Sequence, residues 1–145
     1  MTNGDAVSLA TRPWEMARPI RARPGEVYNH ENAEFYDVER AVREINAAPT
    51  QFQFVVVPIE KLVPQVTQRG NLDLQYIMSL SNEDAVRPVL LGRYSDESVR
   101  LLDGYHRVAR LIQFRIKAVG AWLLTATQTT AILLPPKRAV GIERI

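Results

Sequence analysis

The residues of this chain best suited to chemistry lie in one short stretch, Asp103-Gly104-Tyr105-His106-Arg107, which we call the box. A strand-like apolar run leads into the box, and apolar residues at helical spacing follow it. The glycine permits a sharp turn and a close approach of backbone to a ligand. His106 and Arg107 would then stand at the start of a helix, where amides without helical partners and the positive dipole end attract anions. The box therefore predicts a phosphate site, with an ordinary strand–turn–helix as the alternative.

The chain lacks the residues that several other kinds of site require. The chain has no cysteine, which excludes disulfides, thiolate metal ligands and cysteine nucleophiles. Its two histidines, His30 and His106, are far apart in sequence, which argues against a zinc site. Phosphate-loop, dinucleotide-binding and serine-elbow glycine motifs do not occur. A divalent cation at the box would be held by phosphates and one or two carboxylates. Asp103 is the first candidate for such a carboxylate, and an Asp-Gly turn former is the equal alternative.

The sequence around the box resembles a known superfamily. The box, DGYHR, continues as VARLIQ and is followed by VGAWLL, while VVVPIEKLVPQ (residues 55–65) and RPVLLGRY (residues 87–94) precede it. This order resembles the ParB/sulfiredoxin superfamily, whose members carry a Gly-x-His-Arg or Gly-Glu-Arg-Arg box, a helix and a short return strand. The resemblance covers residues 52–127, roughly half of the chain.

The branches of that superfamily differ at the position of Tyr105. Sulfiredoxin carries its catalytic cysteine there, so sulfinic-acid reduction is excluded for this chain. ParB partition proteins carry glutamate there and continue into a helix-turn-helix domain, which we do not expect here. Free-serine kinases of the superfamily have a similar Asp-Gly-His-His-Arg box on longer chains. The sequence looks most like the small stand-alone members, which are implicated in nucleoside-triphosphate hydrolysis and DNA cleavage.

The resemblance implies a nucleotide-binding protein with NTP hydrolysis or DNA phosphodiester cleavage, using ATP or CTP and Mg²⁺. Expected catalytic residues are His106, Asp103 and Glu60, and Asp103 is the expected metal ligand. The expected phosphate-binding residues are Gly104, Tyr105, His106, Arg107, Lys61 and Arg69. Two alternatives stay open: a non-catalytic regulatory module that binds nucleotide or DNA, and a small-molecule kinase. Nucleotide is the expected partner, with DNA and a second copy of the chain as further candidates.

Together with the pattern of strands and helices, the resemblance implies an α+β fold, with a ParB/sulfiredoxin-like mixed sheet and helices packed around it. Residues 1–50 read as an arm followed by an acidic helix, residues 51–134 as the ParB/sulfiredoxin-like domain, and residues 135–145 as a basic tail. Strands are predicted at 52–59, 87–94, 99–102 and 119–126. Helices are predicted at 29–47, with Phe35, Val38, Val42 and Ile45 on one stripe, at 72–80, and at 105–113, with Val108, Ala109 and Ile112 on one face with Tyr105. The segment from Glu60 toward Arg69-Gly70 is predicted to be a loop. Residues 129–134 fit either a further strand or the start of a last helix.

Composition sets wider bounds on what the protein does. A chain of 145 residues with 46% hydrophobic and 23% charged residues is typical of one globular domain. It has no apolar run of membrane-spanning length and no signal peptide, so a cytoplasmic protein without a membrane partner is expected. The net charge of +2 does not by itself indicate nucleic-acid binding. Residues 87–117 nevertheless hold seven basic against three acidic side chains, which would suit an anion pocket or a nucleic-acid backbone.

Overall fold

A four-stranded mixed sheet in the order β3-β6-β4-β5 is the centre of the fold. The computed structural model describes residues 27–30, 34–69 and 72–134, so the predicted arm (residues 1–25) and the predicted basic tail lie outside the described residues. The sheet strands are β3 (Gln53–Pro58), β4 (Val89–Arg93), β5 (Val99–Asp103) and β6 (Ala118–Leu124). β4 runs parallel to β6, and the other pairings are antiparallel. The predicted α+β class with a mixed sheet is confirmed.

Helices cover both faces of this sheet. They are α1 (Val38–Ala47), α2 (Val63–Arg69), α3 (Leu74–Ser79), α4 (Asn82–Ala85), α5 (Tyr105–Gln113) and α6 (Ala126–Ala131). Short 3-10 turns lie at Pro49–Gln51 and Ile59–Lys61. In the part of the chain that the structure describes, no helix is both long and apolar enough to cross a membrane.

Two apolar clusters form the core, one on each face of the sheet. Val119, Ala121 and Leu123 of β6 belong to the cluster shared with α2, α4 and α5. Trp122 and Leu124 belong to the cluster shared with α1 and residue Ile132. Alternate side chains of a strand point to opposite faces, so a strand covered on both sides is apolar throughout. This explains the unbroken apolar run of β6.

The predicted helix over residues 29–47 is wrong in its first part. The chain there forms β1 (Val27–His30) paired with β2 (Glu34–Asp37), and α1 starts at Val38. Valine and the aromatic residues of these segments favour extended backbone. The Asp37 carboxylate then accepts a hydrogen bond from the Arg40 N–H and caps the helix.

Three further differences concern the elements around the box. The segment predicted as a loop after β3 contains α2, in which Pro64 occupies the first turn, where proline is tolerated. The Ser81 hydroxyl caps the short helix α4, which was not predicted. In α5 the residue buried beside Val108 is Leu111, whereas Ile112 was expected there and is 40% exposed.

The segment that fitted a strand or a helix is resolved as α6, which begins at Ala126. Thr125 and Gln128 form a capping box at its start: each side chain accepts from the other residue's N–H.

The β5 edge of the sheet is covered by a side chain of α2. The carboxamide of Gln65 accepts from the Leu101 N–H at 2.7 Å and donates to the Val99 carbonyl at 3.5 Å. Both backbone groups lie on the edge of β5 away from β4, where an edge strand lacks a partner. Gln65 therefore replaces part of a neighbouring strand and fixes α2 beside β5.

Candidate functional site

The box forms a sharp strand-to-helix turn, as the sequence predicts. β5 ends at Asp103, Gly104 caps the helix with φ of +113°, and α5 begins at Tyr105. Residues other than glycine rarely adopt this backbone conformation. A Cβ on Gly104 would also lie 2.5 Å from Cγ1 of Val89. Both the dihedral angle and the packing therefore require glycine.

Arg107 and Asp103 form an ion pair across this turn. Nη2 of Arg107 donates to Oδ2 of Asp103 at 3.0 Å, and Nη1 donates to the Pro88 carbonyl at 2.6 Å. The two side chains are 12% and 15% exposed. The guanidinium thus joins the first turn of α5 to the end of β5 and to the residue before β4. The structure brings these two predicted site residues together, and these contacts hold the turn.

His106 joins α5 to α3. Its Nε2 accepts a hydrogen bond from the backbone N–H of Asp73 at 3.1 Å. Its half-buried ring also stands edge-on to the ring of Tyr76, with centroids 5.1 Å apart. A ring nitrogen that accepts a hydrogen bond carries no proton, so this contact requires an unprotonated Nε2.

Arg69 lies beside the first residue of α5. Its guanidinium sits over the ring of Tyr105, 4.4 Å from the centroid, and the phenol hydroxyl of Tyr105 donates to the Leu101 carbonyl at 2.6 Å. Arg69 is exposed, and among the described residues its N–H groups have no hydrogen-bond acceptor. Stacking on the ring therefore holds a positive charge at the start of α5 while its donors stay available to an anion.

The predicted site residues Glu60 and Lys61 lie elsewhere. Both are exposed on the 3-10 turn that follows β3, at the edge of the sheet opposite β5, about 14 Å away at ordinary strand spacing. The Ile59 N–H donates to the Lys117 carbonyl, which places this turn beside the chain that leaves α5. The nine residues of α5 span about 13 Å, so Glu60 and Lys61 lie toward its C-terminal end. Their roles at the box stay predictions.

Sequence reasoning missed the partners that position the box. Asp73 contributes its backbone N–H to His106, and Pro88 contributes its carbonyl to Arg107. Backbone groups have no residue-type signature, so the sequence could not reveal either contact. The ion pair did leave a signal, because opposite charges four residues apart, as in Asp103 and Arg107, commonly meet at a helix.

The residues at the box do not form a metal site held by protein. One oxygen of the Asp103 carboxylate is bound to Arg107. Within residues 27–30, 34–69 and 72–134 no group of three or more His, Cys, Asp or Glu side chains could hold a metal ion. The predicted metal role of Asp103 therefore stays a prediction, and the binding function that we propose for the box does not depend on it.

The fold and this turn define an α+β protein with a strand–glycine–helix site at one end of its edge strand. No family model, curated protein or solved structure matches the chain. The likeness to the ParB/sulfiredoxin superfamily therefore rests on the residues of the box and its flanking strands.

Proposed function

We propose that this protein binds a nucleoside triphosphate, ATP or CTP, through its phosphates at the N-terminal end of α5. The observation that carries the proposal is the exposed Arg69 guanidinium, stacked on Tyr105 at the glycine-capped start of that helix. Helix N-termini attract phosphate through their first amides and their dipole. Gly104 supplies no side-chain cap to those amides. A cation with available donors beside them adds the charge-assisted contacts that a polyphosphate needs.

The proposal divides the box into a scaffold and a binding surface. Asp103 and Arg107 neutralise each other and fix the turn. Phosphate contacts then come from the amides of Tyr105 to Arg107, from Arg69, and from His106 once Nε2 is protonated and turned from acceptor to donor. A nucleic-acid backbone offers the same phosphate chemistry, so DNA is a further candidate ligand.

The regulatory module is the second candidate function, and the Asp103–Arg107 ion pair favours it. In that pair, one oxygen of the carboxylate expected to hold a metal or orient a water molecule is bound to Arg107. Hydrolysis of a triphosphate or of a DNA phosphodiester would then depend on His106, the box residue that can act as acid or base near neutral pH. Measurable hydrolysis of a triphosphate or of DNA would identify an enzyme, and its absence would favour the regulatory module. A phosphorylated small-molecule product would identify the kinase alternative.

A nucleotide panel tests the proposal. Thermal unfolding is followed with ATP, CTP, GTP and UTP, with and without Mg²⁺, and the best nucleotide is then titrated by calorimetry. A ligand at a hundred times its Kd stabilises the folded state by about 2.7 kcal/mol, which raises Tm by several degrees. Arg69→Ala should weaken binding about ten- to hundredfold, because it removes a charge-assisted contact worth about 1.5–3 kcal/mol.

Arg43→Ala is the matched control for this experiment. Arg43 is exposed on α1, on the opposite face of the sheet, so its loss changes the net charge equally without touching the box. Unchanged binding by Arg43→Ala supports the site. Equal losses in both variants, or no stabilisation by any triphosphate, would contradict it.

A further inference from the structure

Helix α3 packs against α5 at both of its ends. Ile77 is the buried residue of this helix, while Leu74 and Met78 are 70% and 60% exposed. At the C-terminal end Nε of Arg110 donates to the Leu80 carbonyl at 3.1 Å. At the N-terminal end the Asp73 N–H donates to His106, and the Tyr76 ring lies against the imidazole. The His106 side chain therefore links the first turn of α3 to α5.

We propose that His106 is a proton-sensitive latch that holds the first turn of α3 against α5. In the neutral imidazole Nε2 has the lone pair that accepts from the Asp73 N–H. Protonation places a hydrogen on that nitrogen, so two donors face each other and the hydrogen bond is lost. Histidine titrates within about pH 5 to 8, which puts this change in the physiological range. The latch goes beyond the proposed function, since it requires no bound nucleotide.

The charges around His106 determine how the first turn of α3 responds to its protonation. The Asp73 carboxylate lies next to the lost hydrogen bond and caps α3 by accepting from the Tyr76 N–H at 3.1 Å. If the carboxylate turns to the imidazolium, α3 loses its N-cap, so either response loosens the first turn. Further charged groups on α5 and on the elements packed against it are Asp103, Arg107, Arg110, Arg69, Glu83, Asp84, Glu60 and Lys61. Asp103 is paired with Arg107 and Asp84 with Arg87, and the Arg69 guanidinium lies over the ring of the neighbouring residue, Tyr105.

Amide hydrogen exchange on the full chain, read by NMR at pH 8.0 and pH 5.5, tests the latch. After correction for intrinsic exchange, the amides of Asp73, Tyr76 and Ile77 should exchange about three- to tenfold faster at pH 5.5, as expected for the loss of one hydrogen bond. Amides within β4 and β6 should not change. His106→Gln should remove the pH dependence, because a carboxamide does not titrate. His30→Gln, at the chain's other histidine, should retain it.

A second pair of variants alters the donor instead of the acceptor. Asp73→Pro removes both the N–H and the capping carboxylate, whereas Asp73→Ala removes the carboxylate and keeps the N–H. The pH response should vanish in Asp73→Pro and persist in Asp73→Ala. A wild-type protein without faster exchange at pH 5.5, or a response that survives in His106→Gln or in Asp73→Pro, overturns the proposal. Nucleotide binding is measured separately, so its failure leaves this result unaffected.

Discussion

Arg107 and Asp103 form an ion pair 3.0 Å long across Gly104, and both side chains are almost fully enclosed. The same guanidinium donates to the Pro88 carbonyl at 2.6 Å. One side chain thus connects the end of β5, the start of α5 and the entry to β4. Arg107, which the sequence predicts to bind phosphate, is therefore also part of the framework of the turn.

Arg107→Ala should lower the free energy of unfolding by about 2–4 kcal/mol, because it leaves the enclosed Asp103 carboxylate without its partner. Urea denaturation at pH 7 measures the loss. The double variant Asp103→Asn with Arg107→Ala removes both charges and should be more stable than the sum of the losses in Asp103→Asn and Arg107→Ala predicts. Strict additivity would show that the pair does not couple the two residues.

Gly104→Ala should destabilise the fold by about 2–5 kcal/mol. Left-handed backbone costs an L residue about 1–2 kcal/mol, and an extra methyl group in a packed site costs about 1–3 kcal/mol. The methyl group would lie 2.5 Å from Cγ1 of Val89. In a Val89→Ala background the packing part of the loss should shrink, which denaturation of the four proteins of the cycle can measure. Equal losses in both backgrounds would contradict the close approach.

The ring and the hydroxyl of Tyr105 make separate contacts, which two variants can distinguish. Tyr105→Phe keeps the ring under Arg69 and removes the hydrogen bond to Leu101, so it should cost about 1 kcal/mol of stability and leave nucleotide affinity unchanged. Tyr105→Leu also removes the platform and should weaken nucleotide binding about two- to fivefold, as expected for an exposed cation–π contact. Calorimetry on both variants gives the comparison. Unaltered affinity in Tyr105→Leu would show that stacking does not position Arg69.

If the protein turns over nucleotide or DNA, His106→Ala should lower the rate by about 10²–10⁴ while changing affinity much less. His106→Asn keeps a hydrogen-bond donor, so it should recover part of the rate if His106 donates and none if it transfers a proton. Steady-state kinetics with the best nucleotide distinguishes these roles. Parental turnover in His106→Ala would favour the regulatory module.

The turn between β4 and β5 should respond to acid. The Ser98 hydroxyl and N–H donate to the Asp96 carboxylate at 2.6 and 2.9 Å, and these hydrogen bonds lower the pKa of Asp96. A lowered pKa contributes stability above the ordinary pKa of Asp, about 3.9, and that contribution is lost as pH falls through the folded-state value. Ser98→Ala should therefore be less stable than wild type at pH 7, with a smaller difference at pH 2.5. Urea midpoints at both pH values check this, and a constant difference would contradict it.

The local signals around the box were sufficient to predict its structure. An apolar strand, Asp-Gly and a helical spacing after Tyr105 specify the turn, because each depends on neighbouring residues. The same logic found the buried stripe of Val38, Val42 and Ile45 on α1.

The sequence did not reveal contacts that depend on the tertiary fold. The hairpin of β1 and β2 was hidden because its acidic residues suited a helix as well as a strand. The hydrogen bond from Asp73 to His106 joins residues 33 positions apart and uses a backbone donor. The side of α5 that buries Leu111 instead of Ile112 depends on how the helix lies on the sheet.

The carboxamide of Gln65 also bears on how this protein behaves among copies of itself. The two backbone groups that it covers on β5 are spaced as a strand from another molecule would need them. Gln65→Ala would expose that edge of β5. Light scattering of the concentrated variant, compared with wild type, would measure the resulting self-association. We therefore expect a residue with no place in the proposed chemistry to limit edge-to-edge association between copies of the chain.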